Sequence, residues 1–203
     1  MVAPDGGRTI LTQRGSSRLE EGDFRWEEIR ESKWWYVSSL EGNLDLWEKI
    51  VGFCQENSIK LSLNPGLREL AQSRRLIQWL KFVDFLLLNK SESEELTCFE
   101  ADSEEYWKRL RSFGARITAV TSGRDGAYVI SGEDKFYAPI INITPIDETG
   151  AGDAFGSGMV AGLINGLKPE EAISWGIKNS AAVVGSLGAK TGLLSEEQIR
   201  NAT

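Results

Sequence analysis

Apolar and polar positions along this chain follow two periods that take turns. Trp34-Trp35-Tyr36-Val37, residues 59–63, residues 84–88 and residues 117–120 are short runs rich in branched and aromatic side chains, the pattern of strands buried in a sheet. Helical spacing fills the intervals, over residues 44–55, over residues 69–82, and from Tyr106 through Leu110 to Phe113 with Asp102 or Ser103 placed to cap it. This alternation predicts an α/β fold with a mostly parallel sheet. Residues 139–146 mix Ile and Thr with Pro139 and Pro145 and predict an extended, edge-like segment that stops before a turn. Phe155, Met159 and Leu163 then repeat at helical spacing, with Val160, Ile164 and Leu167 on a neighbouring stripe. Ile173, Ile177, Ala181 and Val184 mark a further helix, and Ser195-Glu196-Glu197-Gln198 fits a capping box for a short last one. No internal repeat, low-complexity tract or long linker interrupts the series, so one domain over residues 1–203 is the simplest count.

The string Asp147-Glu148-Thr149-Gly150-Ala151-Gly152-Asp153-Ala154-Phe155-Gly156 joins the extended segment to its helix. Glycines let the backbone turn its amides toward one point with no Cβ in the way, and the first amides of a helix lack internal partners and carry partial positive charge. Such a turn can hold an anion. Asp153, in the first helical turn, lies beside any anion bound there, and two negative groups that close suggest chemistry on a hydroxyl rather than tight binding. The same string also reads as ordinary capping, in which an acid near the amino end gains a few tenths to about 1 kcal/mol from the helix dipole.

Composition narrows the chemistry. With 203 residues, 41% hydrophobic and 26% charged, the chain can bury one substantial core. Its net charge of −7 argues against nucleic acid or an anionic membrane as the main partner and leaves a small molecule. The absence of histidine excludes a Ser-His-Asp triad, a histidine-rich zinc site and a histidine acid or base, so acid-base work falls to carboxylates. Cys54 and Cys98 form neither a close pair nor a metal-like cluster, and reduced thiols in the cytoplasm are the expectation. No apolar run reaches the length of a membrane span, and the first residues lack the layout of a signal peptide. The seven tryptophans read as core and interface packing, Trp34-Trp35 being the candidate contact for a homo-oligomer.

Gly185-Ser186-Leu187-Gly188-Ala189-Lys190-Thr191 ends like a phosphate-binding P-loop, but Ala189 breaks the spacing and the segment follows a helix instead of opening one after a strand. Without a P-loop, any phosphate contacts fall to the Gly150 turn.

The string from Asp147 to Gly156 resembles the carboxy-terminal signature of the ribokinase-like (PfkB) family of carbohydrate and nucleoside kinases. Three further segments, in the family's order, are similar to its motifs. Asn89-Lys90-Ser91-Glu92 resembles the Asn-x-x-Glu motif that steadies magnesium and phosphate through water; by itself it also reads as a strand end and helix cap. Thr121-Ser122-Gly123-Arg124-Asp125-Gly126 resembles the turn that lines the nucleotide site, and its Asp-Gly is equally a hairpin signal between residues 117–120 and 127–130. Residues 177–182 with Gly188-Ala189 resemble the helix and loop against which adenine rests, although Asn179 also reads as a solvent-facing spacer.

The resemblance implies a three-layer α/β sandwich around a mostly parallel sheet, with ligands beyond the carboxyl ends of the strands. It implies transfer of the γ-phosphoryl group of ATP to a hydroxyl of a small carbohydrate, with Asp153 as base, the amides of Ala151, Gly152 and Asp153 facing the moving group, and Gly150 in the same catalytic turn. Asn89 and Glu92 would hold magnesium through its waters, and Thr121, Gly123, Gly126, Asn179 and Gly188 would line the nucleotide. Asp147 and Thr149 resemble positions where some relatives bind a monovalent cation, with potassium as the candidate. Residues 59–68 are similar to the Asp-x-Asn-x-Arg segment and carry Asn64 and Arg68 over as substrate residues, although Ser62 stands where an acid is common and Gly66-Leu67 shifts the arginine.

Family members carry a substantial portion ahead of these motifs, with the first strands, a sugar-binding Gly-Gly and Asn segment and most of the lid. Gly7-Arg8-Thr9-Ile10-Leu11 already resembles a later lid strand, making residues 1–14 a candidate lid remnant. The expectation is a kinase fragment, a truncated product, or a chain completed by another. A nucleoside kinase and a non-catalytic nucleotide-binding or oligomerisation module are the alternatives.

Overall fold

A computed structural model describes residues 18–202. The candidate lid strand at Gly7 to Leu11 and the rest of residues 1–14 lie outside them. In chain order the elements are α1 (Trp26–Ile29), β1 (Trp34–Val37), α2 (Leu44–Glu56), β2 (Lys60–Leu63), α3 (Leu67–Leu70), α4 (Ser73–Leu80), β3 (Phe85–Asn89), α5 (Lys90–Thr97) and α6 (Glu104–Ser112). They continue with β4 (Ile117–Thr121), β5 (Ala127–Ser131), β6 (Asp134–Ala138), α7 (Ala151–Ile164), α8 (Pro169–Val184) and α9 (Glu196–Asn201).

The strands form a six-stranded sheet in the order β1-β2-β3-β4-β5-β6. β1 runs parallel to β2 with Trp34 opposite Lys60 and Val37 opposite Leu63, and β2 runs parallel to β3 with Ser62 opposite Phe85. Helices connect these strands, as parallel pairing requires. Phe85, Leu86, Leu87 and Leu88 are all buried, which is why this strand is a continuous apolar run: a parallel strand covered on both faces has no solvent side. The α/β class and mostly parallel sheet expected from the pattern are present.

The described residues divide into two compact units, one of residues 18–120 and Ile130–Lys135, the other of Thr121–Val129 and residues 136–202. The first packs Leu46, Trp47 and Ile50 of α2, Leu76 and Leu80 of α4 and Tyr106 and Leu110 of α6 into a core with the leucines of β2 and β3. Trp35 joins Trp26 and Phe53 in an aromatic cluster, with centroids 6.1 and 5.5 Å from it, while the Lys60 ammonium lies 5.0 Å from the Trp34 ring. Both candidate interface tryptophans therefore have partners within the chain. In the second unit α7 and α8 pack with small residues between them. Gly162 meets Ala172, and Gly176 lies under the ring of Phe155.

Two local expectations change, and one strand is new. The helix expected over residues 69–82 is two helices, with the break at Ala71 and Gln72, because the first turn is pinned: buried Glu69 accepts the Leu40, Gly42 and Gly66 amides. Residues 139–146 form no strand; the prolines have no N–H to give a ladder, and the described backbone bond holding the segment's end runs from Ile146 to the Val184 carbonyl. The strand β6 was hidden by its charged start, Asp134-Lys135, and the two-residue connection Gly132-Glu133 folds it onto β5 as a hairpin.

Candidate active site

The approach to α7 is built around a buried carboxylate. Asp147 is 4% exposed, and its Oδ1 accepts the Thr149 amide at 2.9 Å while its Oδ2 accepts the Gly188 amide at 3.0 Å. The Ile146 and Asp147 amides both donate to the Val184 carbonyl, at 2.9 and 3.2 Å, so the loop entering α7 is tied to the end of α8 twice over. Gly150 follows at φ 81°, and a Cβ there would lie within 2.9 Å of the Ala189 carbonyl carbon. Only glycine satisfies both the left-handed backbone and that close approach. The segment rejected as a P-loop thus has another use: its backbone packs on the turn.

With this support, α7 begins without a plug. No side chain caps it; the Ala151 amide turns back to the Glu148 carbonyl at 3.3 Å, and the first intrahelical bond runs from Ala154 to Gly150 at 2.8 Å. The Gly152 and Asp153 amides belong to the first turn, where the helix supplies no acceptors and its dipole is positive. Gly152 and Asp153 are exposed, so an anion can reach those donors with the Asp153 carboxylate beside it. Asp147, Thr149, Gly150 and Gly188 are in direct contact in one loop pair.

Asn179, on α8, is 4% exposed and so not the solvent-facing spacer its position allowed. Its Nδ2 donates to the Ala154 carbonyl at 2.8 Å and the Ser157 hydroxyl at 3.3 Å, and its Oδ1 accepts the Leu194 amide at 2.9 Å. Those bonds brace the first turns of α7 against α8. In the same unit, Ser122 donates to the Gly126 carbonyl at 2.8 Å and closes a turn between β4 and β5. Gly126 has φ 84°, and a notional Cβ would collide with the Ala138 carbonyl oxygen and lie 3.1 Å from the Tyr137 ring edge and 3.2 Å from Pro139 Cα. Gly123 is exposed at the tip. The hairpin and nucleotide-turn readings of residues 121–126 are compatible with one geometry.

The other unit carries Asn89, Glu92, Asn64 and Arg68. Asn89 Oδ1 accepts the Glu92 amide at 2.9 Å and Glu92 Oε2 accepts the Asn89 amide at 2.8 Å, a reciprocal capping box at the start of α5. Burial pushes the Glu92 carboxyl above its ordinary range, and Glu95 adds to this, against the opposing bond from Asn89. Asn64 donates to the Leu87 carbonyl at 3.0 Å and so stands beside β3. Arg68 is exposed and pairs with Glu41 at 3.3 Å. Ser62, in the place of the common acid, is fully buried and accepts the Trp34 indole N–H at 2.6 Å, leaving no water for a charge.

Sequence reading missed Glu69. It is fully buried and takes bonds from the Leu40, Gly42 and Gly66 amides at 2.8, 2.7 and 2.9 Å and from the Ser39 hydroxyl at 2.9 Å. The available signal was a glutamate three residues after Gly66, the spacing of a cap. The Cys54 thiol is pushed up to about 12 by burial and the nearby Asp84, a poor nucleophile. Among the described residues no helix is long and apolar enough to cross a membrane, and no cluster of three metal-ligating side chains occurs.

The chain is similar to known proteins in sequence and in fold. The chain is 29% identical over 182 residues to a ribokinase of Lactococcus lactis, covering 86% of this chain and 55% of that protein. It is 28% identical over 169 residues to a cytidine kinase of Thermococcus kodakarensis, covering 80% and 59% respectively. The solved structure of a ribokinase from Thermotoga maritima superposes with a TM-score of 0.71 at 22% identity, covering 89% of this chain and 60% of that one, and shows the ribokinase fold. The chain thus spans little more than half the length of these curated relatives. Residues 1–196 match the pfkB family of carbohydrate kinases, and the chain belongs to that family.

Proposed function

We propose that this chain carries the phosphoryl-transfer end of an ATP-dependent kinase acting on a hydroxyl of a small carbohydrate, with Asp153 as the base. The uncapped start of α7 carries this reading, because it leaves amides and a carboxylate free at one rigid turn. ATP supplies the γ-phosphoryl group. The Gly152 and Asp153 amides offset the charge that builds on the transferred group, and the Asp153 carboxylate accepts the proton that the acceptor hydroxyl gives up as it attacks. Phosphoryl transfer needs positioning more than covalent help, and the Asp147 and Asn179 bonds hold these groups at fixed places.

Glu92 and Asn89 would steady magnesium through its waters, since magnesium keeps several of them and needs few protein ligands. A cation there would also relieve the cost of ionising the partly buried Glu92. Thr121, Gly123, Gly126, Asn179 and Gly188 would frame the nucleotide, and Asn64 and Arg68 the acceptor. Asp147 and Thr149 are the candidate positions for potassium. A cytoplasmic location accords with ATP as donor and with two free cysteines.

Asp153→Asn tests the base. ATP binding should persist while turnover falls about 10²- to 10⁴-fold, the range for a general base. Undiminished turnover in that variant would defeat the assignment. A panel of ribose, fructose, 2-keto-3-deoxygluconate, adenosine and cytidine separates the sugar reading from a nucleoside kinase, the second reading that the cytidine kinase relative favours. ATP binding with no turnover on any of them identifies a non-catalytic nucleotide-binding module.

A further inference from the structure

The β5-β6 hairpin brings an aromatic pair to the turn at residues 121–126. Tyr128 on β5 and Tyr137 on β6 face each other with ring centroids 5.0 Å apart and planes at 43°. Tyr137 is 52% exposed, and its Cε2 edge lies 3.1 Å from where a Cβ at Gly126 would stand. The ring edge therefore adjoins the glycine that closes the turn, next to the Ala138 carbonyl oxygen that packs most closely on it. A single exposed tyrosine needs no explanation. This one is backed by a second ring and lies beside a buried glycine whose open side is closed by the Ala138 carbonyl and Pro139, and Pro139 directly after β6 limits how the strand can continue.

A flat, uncharged, half-open aromatic surface beside a glycine turn suits another flat ring. Stacking on aromatic side chains is worth enough per base to shift affinity several-fold to a hundredfold and is tolerant of base identity. Thr121–Val129 and residues 136–202 belong to one compact unit, so this surface and the amides at the start of α7 are carried on the same body. We infer that Tyr137, supported by Tyr128, is the platform on which the base of the bound nucleotide stacks. The inference rests on the nucleotide reading of this site and adds to it the residue that distinguishes a nucleotide from a bare polyphosphate.

Calorimetric titration of the whole chain with ATP and, separately, with inorganic tripolyphosphate, both with magnesium, tests it. Tyr137→Ala should weaken ATP binding about tenfold and leave tripolyphosphate binding unchanged, while Tyr137→Phe, which keeps the ring, should stay within about twofold of the parent for both. Circular dichroism of each variant checks that the hairpin is intact. ATP affinity unchanged in Tyr137→Ala, or an equal loss for both ligands, overturns the platform while the nucleotide reading stands. A parent chain that binds neither ligand overturns the nucleotide reading, and the platform with it.

Discussion

Two helices of this chain open in opposite ways. At the start of α5, Asn89 and Glu92 exchange bonds with each other's amides, and the first turn is filled by the chain itself. At the start of α7 no side chain takes that place, and order comes from behind, through Asp147 on Gly188 and Gly150 under Ala189. A plugged helix start is stable without a ligand. An unplugged one can be equally well placed and still keep its donors for an anion, provided its loop is anchored elsewhere. Capping motifs therefore mark where helices begin, whereas their absence on a well-anchored turn marks where chemistry can occur.

Substitution at Gly150 strikes this contrast hardest. Gly150→Ala combines a left-handed backbone with a collision against Ala189 and should cost about 3 kcal/mol in urea denaturation, with nucleotide affinity falling alongside. A stability loss below about 1 kcal/mol would show that the loop yields easily and that the turn is not held from behind. Asp147→Ala leaves the Thr149 and Gly188 amides without their carboxylate and should cost about 1 to 3 kcal/mol, with Asp147→Asn keeping part of it. The same denaturation curves measure both variants.

The smallest effect belongs to the plugged helix. Because burial raises the folded-state pKa of Glu92, the protonated form is favoured on folding, so the group's contribution to stability is fully present below its unfolded pKa. That contribution is lost as pH rises through the folded value. Glu92→Gln keeps the cap and removes the charge, so near neutral pH the variant should equal or slightly exceed the parent in thermal stability. The gap should close toward pH 4, and magnesium-dependent nucleotide binding should weaken. A variant less stable than the parent at neutral pH would mean that the cap, not the partly buried charge, dominates there.

Much of the architecture was legible from the order of residues because short-range physics dictates it. The apolar run from Phe85 to Leu88, the Ser195 cap of α9 and the helical stripe of Phe155 and Met159 each follow from local spacing. β6 and the break between α3 and α4 were not legible. The former depends on cross-strand pairing after a charged start, and the latter on a glutamate captured by amides some thirty residues earlier in the chain.

The candidate site divides along the same line. The string from Asp147 to Gly156 by itself determined that a glycine turn precedes a helix with an acid in its first turn, because glycine, aspartate and helical periodicity act over a few residues. Tertiary structure alone decided that Asp147 is a buried anchor for Gly188, that Asn179 braces α7 instead of facing solvent, and that Tyr137 comes to lie beside Gly126. Each of those contacts joins residues brought together only by folding, where burial and hydrogen-bond satisfaction select a partner that no local pattern names.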